Sequence, residues 1–381
     1  MPGKRLVLFG AGMTGRGQVA QLAYEDGWEL TLIDANAELV RRLREAGQYT
    51  VRLLSDHPRE LIISGWEVLH TSETEAIGAA VGAADFVLTS VLEPNLPAVA
   101  EVLAPALARR LATYRAPLNV VAAENMMNSS EVLAGYVRAL WPAGAPSLEG
   151  VIGFPNSMIA RVVPIASDPL LIVAEEFSEW TADAHAAVGE APALRGLEWV
   201  DNQTARLQRK LYIHNTGHAV CGYFGWLAGY TYIHEAAGDP RIMARIRAAI
   251  AESGEAISRE HGFSRESVRA YEENLTGRLV LSALPDDIRR VIRQPLRKLG
   301  GDERLLGPLQ LCEKHGVPTE GLSWGIAAAL ASRMSGEEQF ERMAEAVDRL
   351  GPGAALGELV GWTPSATAGA QIAAAYEALK S

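Results

Sequence analysis

The stretch LVLFGAGMTGRG near the N-terminus constrains the fold of this chain more than any other feature. It places Gly10, Gly12 and Gly15 in the spacing GxGxxG directly after an apolar, strand-like run. In such a strand–turn–helix the first glycine permits a tight turn, the second lets the backbone approach a pyrophosphate, and the third lets helix and strand pack closely. The helix N-terminus then offers N–H groups to the phosphates. We therefore predict a dinucleotide site that also includes Met13 and Thr14.

A carboxylate follows at the end of the next apolar run. Asp34 lies 19 residues after Gly15, where it can accept hydrogen bonds from the adenosine ribose of a dinucleotide. No arginine follows it immediately, and its charge repels a 2′-phosphate. The pattern predicts NAD rather than NADP as the cofactor. A glycine-rich turn with a capping aspartate is the alternative interpretation.

The first third of the chain alternates between apolar runs and helical segments, which predicts βαβ units and a doubly wound parallel sheet. The predicted strands are 5–9, 29–33, 85–91 and 118–123, and the predicted helices are 15–26, 37–46, 95–112 and 130–140. Further strand-like pieces at 151–154 and 169–177 are expected to extend this sheet. Between 50 and 70 we expect a short hairpin or an irregular insertion.

The chain after Asp201 is a series of helical stretches separated by short Gly/Pro turns. A chain of 381 residues also exceeds the ~250–300 residues at which single cores stop growing. We predict an α/β plus all-α protein, with an NAD-binding Rossmann domain at 1–195 and an all-helical substrate and catalytic domain at 196–381.

Composition excludes some partners. The formal net charge is −11 with a pI of about 5.3, so an extended nucleic-acid footprint is not expected. Cys221 and Cys312 are isolated, which suits a reducing compartment. The sequence has no signal-peptide core and no run near the ~18 apolar residues of a membrane span. We expect a cytoplasmic protein with a small-molecule substrate, acting as a monomer or small homo-oligomer.

The segment RKLYIHNTGHA carries several groups suited to catalysis. On an α-helix Lys210, His214 and His218 fall within about 80° of arc, and Asn215 lies about 60° beyond His218. Oxidation of an alcohol needs a proton acceptor and donors to the developing alkoxide. No Cys/His/carboxylate cluster is present for a metal, and a buried lysine could serve as the base. Spacing alone equally permits a solvated Arg-Lys face and a core histidine.

The same segment contains the signature K-x-x-x-x-N-x-x-H and resembles the polyol-specific long-chain dehydrogenase/reductase family. The stretches FGAGMTGRG, AENM, EEFSEW, RQPLRKL and GIAAA are similar to one branch of it, the bacterial mannitol-1-phosphate 5-dehydrogenases. These motifs occur in the family's order and span nearly the whole chain.

The resemblance implies a Rossmann domain paired with an all-α domain like the C-terminal domain of 6-phosphogluconate dehydrogenase, with the active site in the cleft. It implies that Lys210 is the general base, that Asn215 and Asn125 form the oxyanion hole, and that His218 orients the substrate. His214 is not part of the signature. The implied reaction is metal-independent, NAD-dependent interconversion of D-mannitol 1-phosphate and D-fructose 6-phosphate.

A basic run follows in the second domain, and guanidinium groups suit phosphate. Within RQPLRKL we predict Arg293, Arg297 and Lys298 as ligands of phosphate or substrate. A solvated charged face is the alternative interpretation. Two preceding arginines are expected to be solvated or paired with adjacent aspartates: Arg289 and Arg290 with Asp286 and Asp287.

Two positions depart from the family pattern. Ala160 in FPNSMIARVVP stands where the family usually has an aspartate, and LVLS, which includes Leu281, replaces Phe-x-Asn-Pro. These changes bear on the substrate more than on the reaction. A non-phosphorylated polyol or a hexuronate/aldonate is therefore an alternative substrate, and a non-catalytic NAD(H)-binding sensor is an alternative function.

Overall fold

The computed structural model describes residues 3–55, 57–114, 116–124, 126–164, 167–282 and 285–380. The chain divides into two compact units, Met1–Leu207 and Gln208–Ser381. The boundary expected at 195/196 lies earlier than this division. The reason is a strand at Leu197–Val200 that pairs within the first unit.

The first unit contains a six-stranded, all-parallel sheet. Its strands stand in the order β5-β2-β1-β6-β7-β8, which is the doubly wound order with a reversal between β1 and β6. The strands are Arg5–Phe9 (β1), Glu29–Asp34 (β2), Glu67–His70 (β5), Phe86–Thr89 (β6), Leu118–Ala122 (β7) and Ile152–Gly153 (β8).

Both faces of this sheet are covered, which explains its continuous apolar runs. Along β1, Leu6 and Leu8 belong to the core on one face, and Val7 and Phe9 belong to the core on the other. The helices are Gln21–Glu25 (α1), Ala37–Ala46 (α2), Thr74–Ala83 (α3), Leu96–Thr113 (α4) and Ser129–Ala139 (α5). A π-helical segment, Gly15–Ala20, precedes α1, so the predicted first helix is only partly α-helical.

Two small sheets complete the first unit. One has the order β10-β3-β4 and the other β12-β11-β9. Their strands are Gln48–Leu54 (β3), Arg59–Ser64 (β4), Ser157–Ala160 (β9), Leu171–Glu175 (β10), Glu179–Asp183 (β11) and Leu197–Val200 (β12). The expectation that 169–177 extends the main sheet is wrong, because β10 pairs with β3 of the hairpin formed by the 50–70 insertion.

The second unit is helical, as predicted for the chain after Asp201. It follows α6, Gln203–Arg209, and opens with a π-helical segment at Lys210–Asn215. Its helices are Thr216–Leu227 (α7), Ile233–Gly238 (α8), Pro240–His261 (α9), Arg265–Leu279 (α10), Ile288–Ile292 (α11), Pro295–Lys298 (α12), Leu306–His315 (α13), Glu320–Ala331 (α14), Glu338–Leu350 (α15), Pro352–Val360 (α16) and Ala366–Ala378 (α17).

Helix α7 runs through the core of this unit, and its glycines let neighbouring helices approach closely. A Cβ added to Gly222 would lie 2.9 Å from Val291, and one added to Gly225 would lie 2.7 Å from Ile288 and from Ala236. This close packing anchors the segment that carries Lys210. Across the described residues, no helix combines the length and the apolar character that crossing a membrane requires.

Candidate active site

The glycine turn after β1 has the geometry that a pyrophosphate site requires. Gly10 has φ +95, and an added Cβ would lie 2.1 Å from the Ser90 carbonyl oxygen. A Cβ on Gly15 would lie 2.1 Å from the carbonyl oxygen of Gly10. At Gly12 the same Cβ would meet no heavy atom of the described chain within 4 Å. The turn is thus closed on the protein side and open at Gly12, where a phosphate can approach the backbone.

Asp34 stands beside this turn at the end of β2. Its Oδ2 accepts a hydrogen bond from the Ala11 N–H at 2.8 Å, and its Oδ1 accepts one from the Asn36 N–H at 2.8 Å. A carboxylate has about four acceptor sites, so these bonds leave capacity for ribose hydroxyl groups. The two bonds hold the carboxylate in place next to the glycine turn.

Met13 and Thr14 open the helical segment after the turn. The Met13 side chain packs against the core, so only its backbone is suited to a polar ligand.

Arg16 follows two residues after Thr14, and the sequence did not indicate that it belongs to this site. Its guanidinium is buried and donates to the carbonyl oxygens of Ala11 and Pro169, both at 2.6 Å. Burial lowers its pKa. Arg16 therefore braces the turn from beneath.

In the second unit, Lys210 and Asn215 are the first and last residues of the π-helical segment. In α-helical geometry they would stand about 140° apart. A π turn instead closes between residues five apart, so the two residues lie one turn from each other. The expectation of regular α-helix here is wrong, and the π turn places the two backbone positions closer to one face of the helix than α-helical geometry does. Asn215 is 7% exposed and Lys210 is half-buried.

His218 is fixed by a carboxylate that the sequence analysis did not assign to it. Its Nε2 lies 2.8 Å from Oδ2 of Asp286. A carboxylate only accepts hydrogen bonds, so Nε2 carries a proton and donates it to Asp286. Oδ1 of Asp286 accepts from Nη2 of Arg290 at 2.5 Å, which confirms the expected pairing of that arginine.

The environment of Asp286 favours its ionised form. Burial by itself raises the pKa of this carboxyl. The hydrogen bond and charge of His218, together with the charge of Arg290, lower the pKa by more than burial raises it. The net result is a pKa below the usual aspartate value. The sequence showed only that Asp286 lies close to a run of arginines. It did not predict the contact with His218, because the two residues are 68 positions apart.

His214 marks the centre of a positively charged region. Its ring lies edge-on to that of His218, with centroids 6.2 Å apart. Burial lowers the pKa of His214 well below its usual value, and nearby cations lower it further: Arg278, His218, Lys210 and Arg304. Burial and these charges therefore favour the neutral form of the His214 ring.

The three predicted phosphate ligands occupy different environments. Arg293 is exposed and lies 3.8 Å from Glu337, and Arg297 pairs with Glu303 at 3.0 Å. Lys298 is only 6% exposed and donates to the Arg293 carbonyl oxygen. Burial, with the charges of neighbouring arginines, lowers the pKa of Lys298 to about 7.

Lys298 also has arginines near it that lie outside the RQPLRKL motif. Arg304, Arg297 and Arg290 act electrostatically on Lys298, and Arg278 and Arg304 act on His214. The backbone carbonyl of Arg304 accepts a 2.6 Å bond from the Thr216 hydroxyl, which ties it to the start of α7. We call Arg278, Arg290, Lys298 and Arg304 the basic cluster.

Other predicted features lie elsewhere or outside the described chain. Asn125 lies outside the described residues. Ala160 is buried in β9, opposite Glu179, and Leu281 follows α10. Within the described ranges, no three His, Cys, Asp or Glu side chains are grouped as a metal site would require.

A doubly wound parallel sheet with a GxGxxG turn and an acid fixed beside that turn, followed by a helical unit, is typical of a two-domain, dinucleotide-binding oxidoreductase. The chain matches the mannitol dehydrogenase Rossmann domain over residues 4–196 and the mannitol dehydrogenase C-terminal domain over residues 204–352. It belongs to the mannitol dehydrogenase family and is an enzyme of the polyol dehydrogenase type.

Curated relatives are similar over most of their length. The chain is 38% identical over 328 residues to a mannitol-1-phosphate 5-dehydrogenase of Brevibacillus brevis, covering 85% of each chain. It is 37% identical over 379 residues to the enzyme of that name from an Arthrobacter species, covering 98% of this chain and 97% of the relative.

Solved structures share the fold. A ternary complex of Pseudomonas fluorescens mannitol 2-dehydrogenase with NAD and D-mannitol superposes with a TM-score of 0.77 at 18% identity, covering 99% of this chain and 92% of that one. A substrate-free D-sorbitol dehydrogenase gives a TM-score of 0.79 at 16% identity, covering 98% and 93%.

Proposed function

We propose that this enzyme interconverts a sugar alcohol phosphate and a ketose phosphate with NAD, and that D-mannitol 1-phosphate and D-fructose 6-phosphate are the pair. The relatives that carry the name mannitol-1-phosphate 5-dehydrogenase support this substrate, since they are 34–38% identical over most of the chain. The basic cluster supports the phosphate, because a chain with a net charge of −11 otherwise repels an anionic substrate.

The residues of the first unit fit NAD. The open backbone at Gly12 suits the pyrophosphate, and the fixed carboxylate of Asp34 suits the 2′- and 3′-hydroxyls of the ribose. The same carboxylate disfavours the 2′-phosphate of NADP. NAD, when bound, supplies the hydride acceptor. The backbone N–H groups of Met13 and Thr14 are proposed to hold the phosphates.

In the second unit we assign the proton chemistry to Lys210. Its Nζ accepts the proton of the substrate hydroxyl as that group becomes a carbonyl. The amide of Asn215, one π turn away, donates a hydrogen bond to the same oxygen and stabilises its developing negative charge. By resemblance to the family, Asn125 supplies a second such donor. This scheme uses no metal.

His218 orients the substrate. With Nε2 held by Asp286, the second ring nitrogen, Nδ1, is proposed to form a hydrogen bond with a substrate hydroxyl. The substrate phosphate is proposed to bind to the basic cluster, where the buried ammonium of Lys298 and the partly buried guanidinium groups of Arg278 and Arg304 can form charge-assisted hydrogen bonds. Arg293 and Arg297 are retained as proposed outer ligands, since both are partly exposed.

The placement of Lys210 and Asn215 on one π turn, with His218 held on Asp286, is the observation that carries the reaction class. The test is NADH formation by purified protein across matched polyols and polyol phosphates, with fructose 6-phosphate reduction as the reverse assay. Turnover limited to phosphorylated hexitols supports the proposal. Absence of turnover with every polyol and polyol phosphate would leave only the sensor interpretation.

Ala160 favours one second candidate. It provides a methyl group where the family usually has a carboxylate, so the hydroxyl pattern of the true substrate can differ from that of mannitol. The candidate is a related dehydrogenase of a non-phosphorylated polyol or a hexuronate/aldonate. Higher kcat/KM with a sugar acid than with any hexitol phosphate would select it.

A further inference from the structure

The loop after β6 lies at the reversal of the main sheet. β1 is followed by β2 on one side, while β6 is followed by β7 on the other. Ligands of such sheets bind in the crevice at the carboxyl ends of these two strands. The loop packs directly on the glycine turn, because a Cβ on Gly10 would lie 2.1 Å from the Ser90 carbonyl oxygen and 2.9 Å from Val91 Cγ1.

Leu92 in this loop has two unfavourable properties at once. It has φ 73 and ψ 143, a backbone conformation that L side chains rarely adopt. Leu92 is also 73% exposed, more than any other exposed large apolar residue of the described chain. A strained backbone that presents an apolar side chain to solvent at a ligand crevice indicates a binding role.

Glu124 holds Leu92 in this conformation. Its carboxylate is 5% exposed and follows β7, the next strand of the sheet. Oε1 accepts from the Thr89 hydroxyl at 2.8 Å and from the Val91 N–H at 2.8 Å, while Oε2 accepts from the Leu92 N–H at 2.9 Å. Both carboxylate oxygens are therefore used to fix the loop after β6.

We infer that Leu92 forms an apolar wall against the nicotinamide ring of the dinucleotide and that Glu124 is the residue that positions it. The nicotinamide end of the cofactor is where the hydride is exchanged, so a fixed wall there restricts the ring to one orientation. The adenosine end is held separately, by Asp34 and the glycine turn. The inference rests on the proposed NAD binding.

The test compares two ligands on the full-length protein by calorimetry: NADH, and ADP-ribose, which lacks the nicotinamide ring. Leu92→Gly removes the wall, and Glu124→Gln replaces one acceptor oxygen with a donor that faces a backbone N–H. For both variants we expect the Kd of NADH to rise by at least about fivefold. The Kd of ADP-ribose should stay within about twofold.

Thermal unfolding separates this role from a structural one. Leu92→Gly relieves the backbone conformation, so its Tm should equal or exceed that of the wild type even though NADH binds more weakly. Leu140→Gly, at another exposed leucine with ordinary φ, should lower Tm and leave both Kd values unchanged. Glu149→Gln, at an exposed carboxylate paired with Arg138, is the control for Glu124→Gln.

The inference is overturned if Leu92→Gly and Glu124→Gln leave NADH affinity unchanged, or weaken NADH and ADP-ribose equally. Wild-type protein that binds neither ligand would instead overturn the proposed cofactor, and with it the proposed function.

Discussion

Nε2 of His218 lies 2.8 Å from Oδ2 of Asp286, and the other oxygen of that carboxylate holds Arg290. One buried acid thus orients an imidazole and a guanidinium together. The acid comes from the residues just before α11, whereas the imidazole comes from α7. This relationship fixes the orientation of the His218 ring, which the signature motif alone does not.

Asp286→Asn is expected to lower kcat/KM for the polyol substrate by about 10- to 100-fold, because a charge-assisted bond worth about 1.5–3 kcal/mol is lost. Steady-state kinetics measure this. Asp287→Asn is the matched control, since Asp287 is exposed and caps α11, a role that asparagine can keep. Equal rates for Asp286→Asn and wild type would show that His218 needs no anchor.

Lys210→Met is expected to reduce kcat by about 10²- to 10⁴-fold, because no other group of the proposed site takes the hydroxyl proton. NADH affinity should not change, since the dinucleotide residues lie in the first unit. Stopped-flow turnover and NADH titration separate the two effects. Lys314→Met, at an exposed lysine paired with Glu260, is the control. Undiminished turnover in Lys210→Met would exclude the base assignment.

Asp34→Asn is expected to weaken discrimination against NADP. The amide retains an acceptor for the Ala11 N–H but removes the negative charge. The ratio of kcat/KM with NAD to that with NADP should fall by about 10- to 100-fold. Asp26→Asn, in the turn after α1, should not change the ratio. A ratio that stays constant in Asp34→Asn would mean that Asp34 only braces the turn.

Lys298 gives a pH-dependent prediction. Its pKa of about 7 in the folded protein means that the ammonium loses its proton as the pH rises through 7, and the phosphate loses a cationic partner. KM for the phosphorylated substrate should therefore rise above pH 7. Lys298→Met should raise KM by about tenfold at pH 6 and flatten this dependence. Identical KM profiles for the two proteins would remove Lys298 from the phosphate site.

The same lysine predicts a stability difference. Unfolded lysine has a pKa of about 10.4, so between pH 7 and that value the folded chain binds fewer protons than the unfolded chain. Stability then increases with pH in this window, and the cost of the buried charge is fully present below pH 7. Urea unfolding should show that the free energy of unfolding of the wild type increases with pH in this window relative to that of Lys298→Met. A constant difference from pH 6 to pH 10 would contradict it.

Local periodicity predicted the bounds of elements that have a clear apolar pattern. Strand β1 and helix α2 lie where the apolar pattern put them, at Arg5–Phe9 and Ala37–Ala46. The glycine turn followed from its spacing, because Gly10 and Gly15 stand where the protein leaves no room for a Cβ, and Gly12 stands where the backbone is open. The pairing of strands was harder to predict from the sequence, because it depends on residues far apart in the chain. For example, β10 pairs with β3, which lies more than a hundred residues earlier.

The candidate site was predictable only in part. The signature located Lys210, Asn215 and His218, but regular helix geometry placed the first two on different faces, and the π segment changes that. Asp286, Arg304 and the clamp formed by Glu124 depend on contacts across tens of residues. No local pattern encodes such contacts. Burial distinguishes Lys298 from the exposed Arg293, and on this ground we propose Lys298 rather than Arg293 as the inner phosphate ligand.

The central claim is that this family member uses its helical unit to recognise a phosphorylated hexitol. The most direct measurement is kcat/KM for NADH formation with D-mannitol 1-phosphate and with D-mannitol, side by side on the same protein. We predict a value at least about 100-fold higher for the phosphate ester, since charge-assisted bonds to the basic cluster are worth about 3 kcal/mol. Equal values, or preference for D-mannitol, would contradict the account.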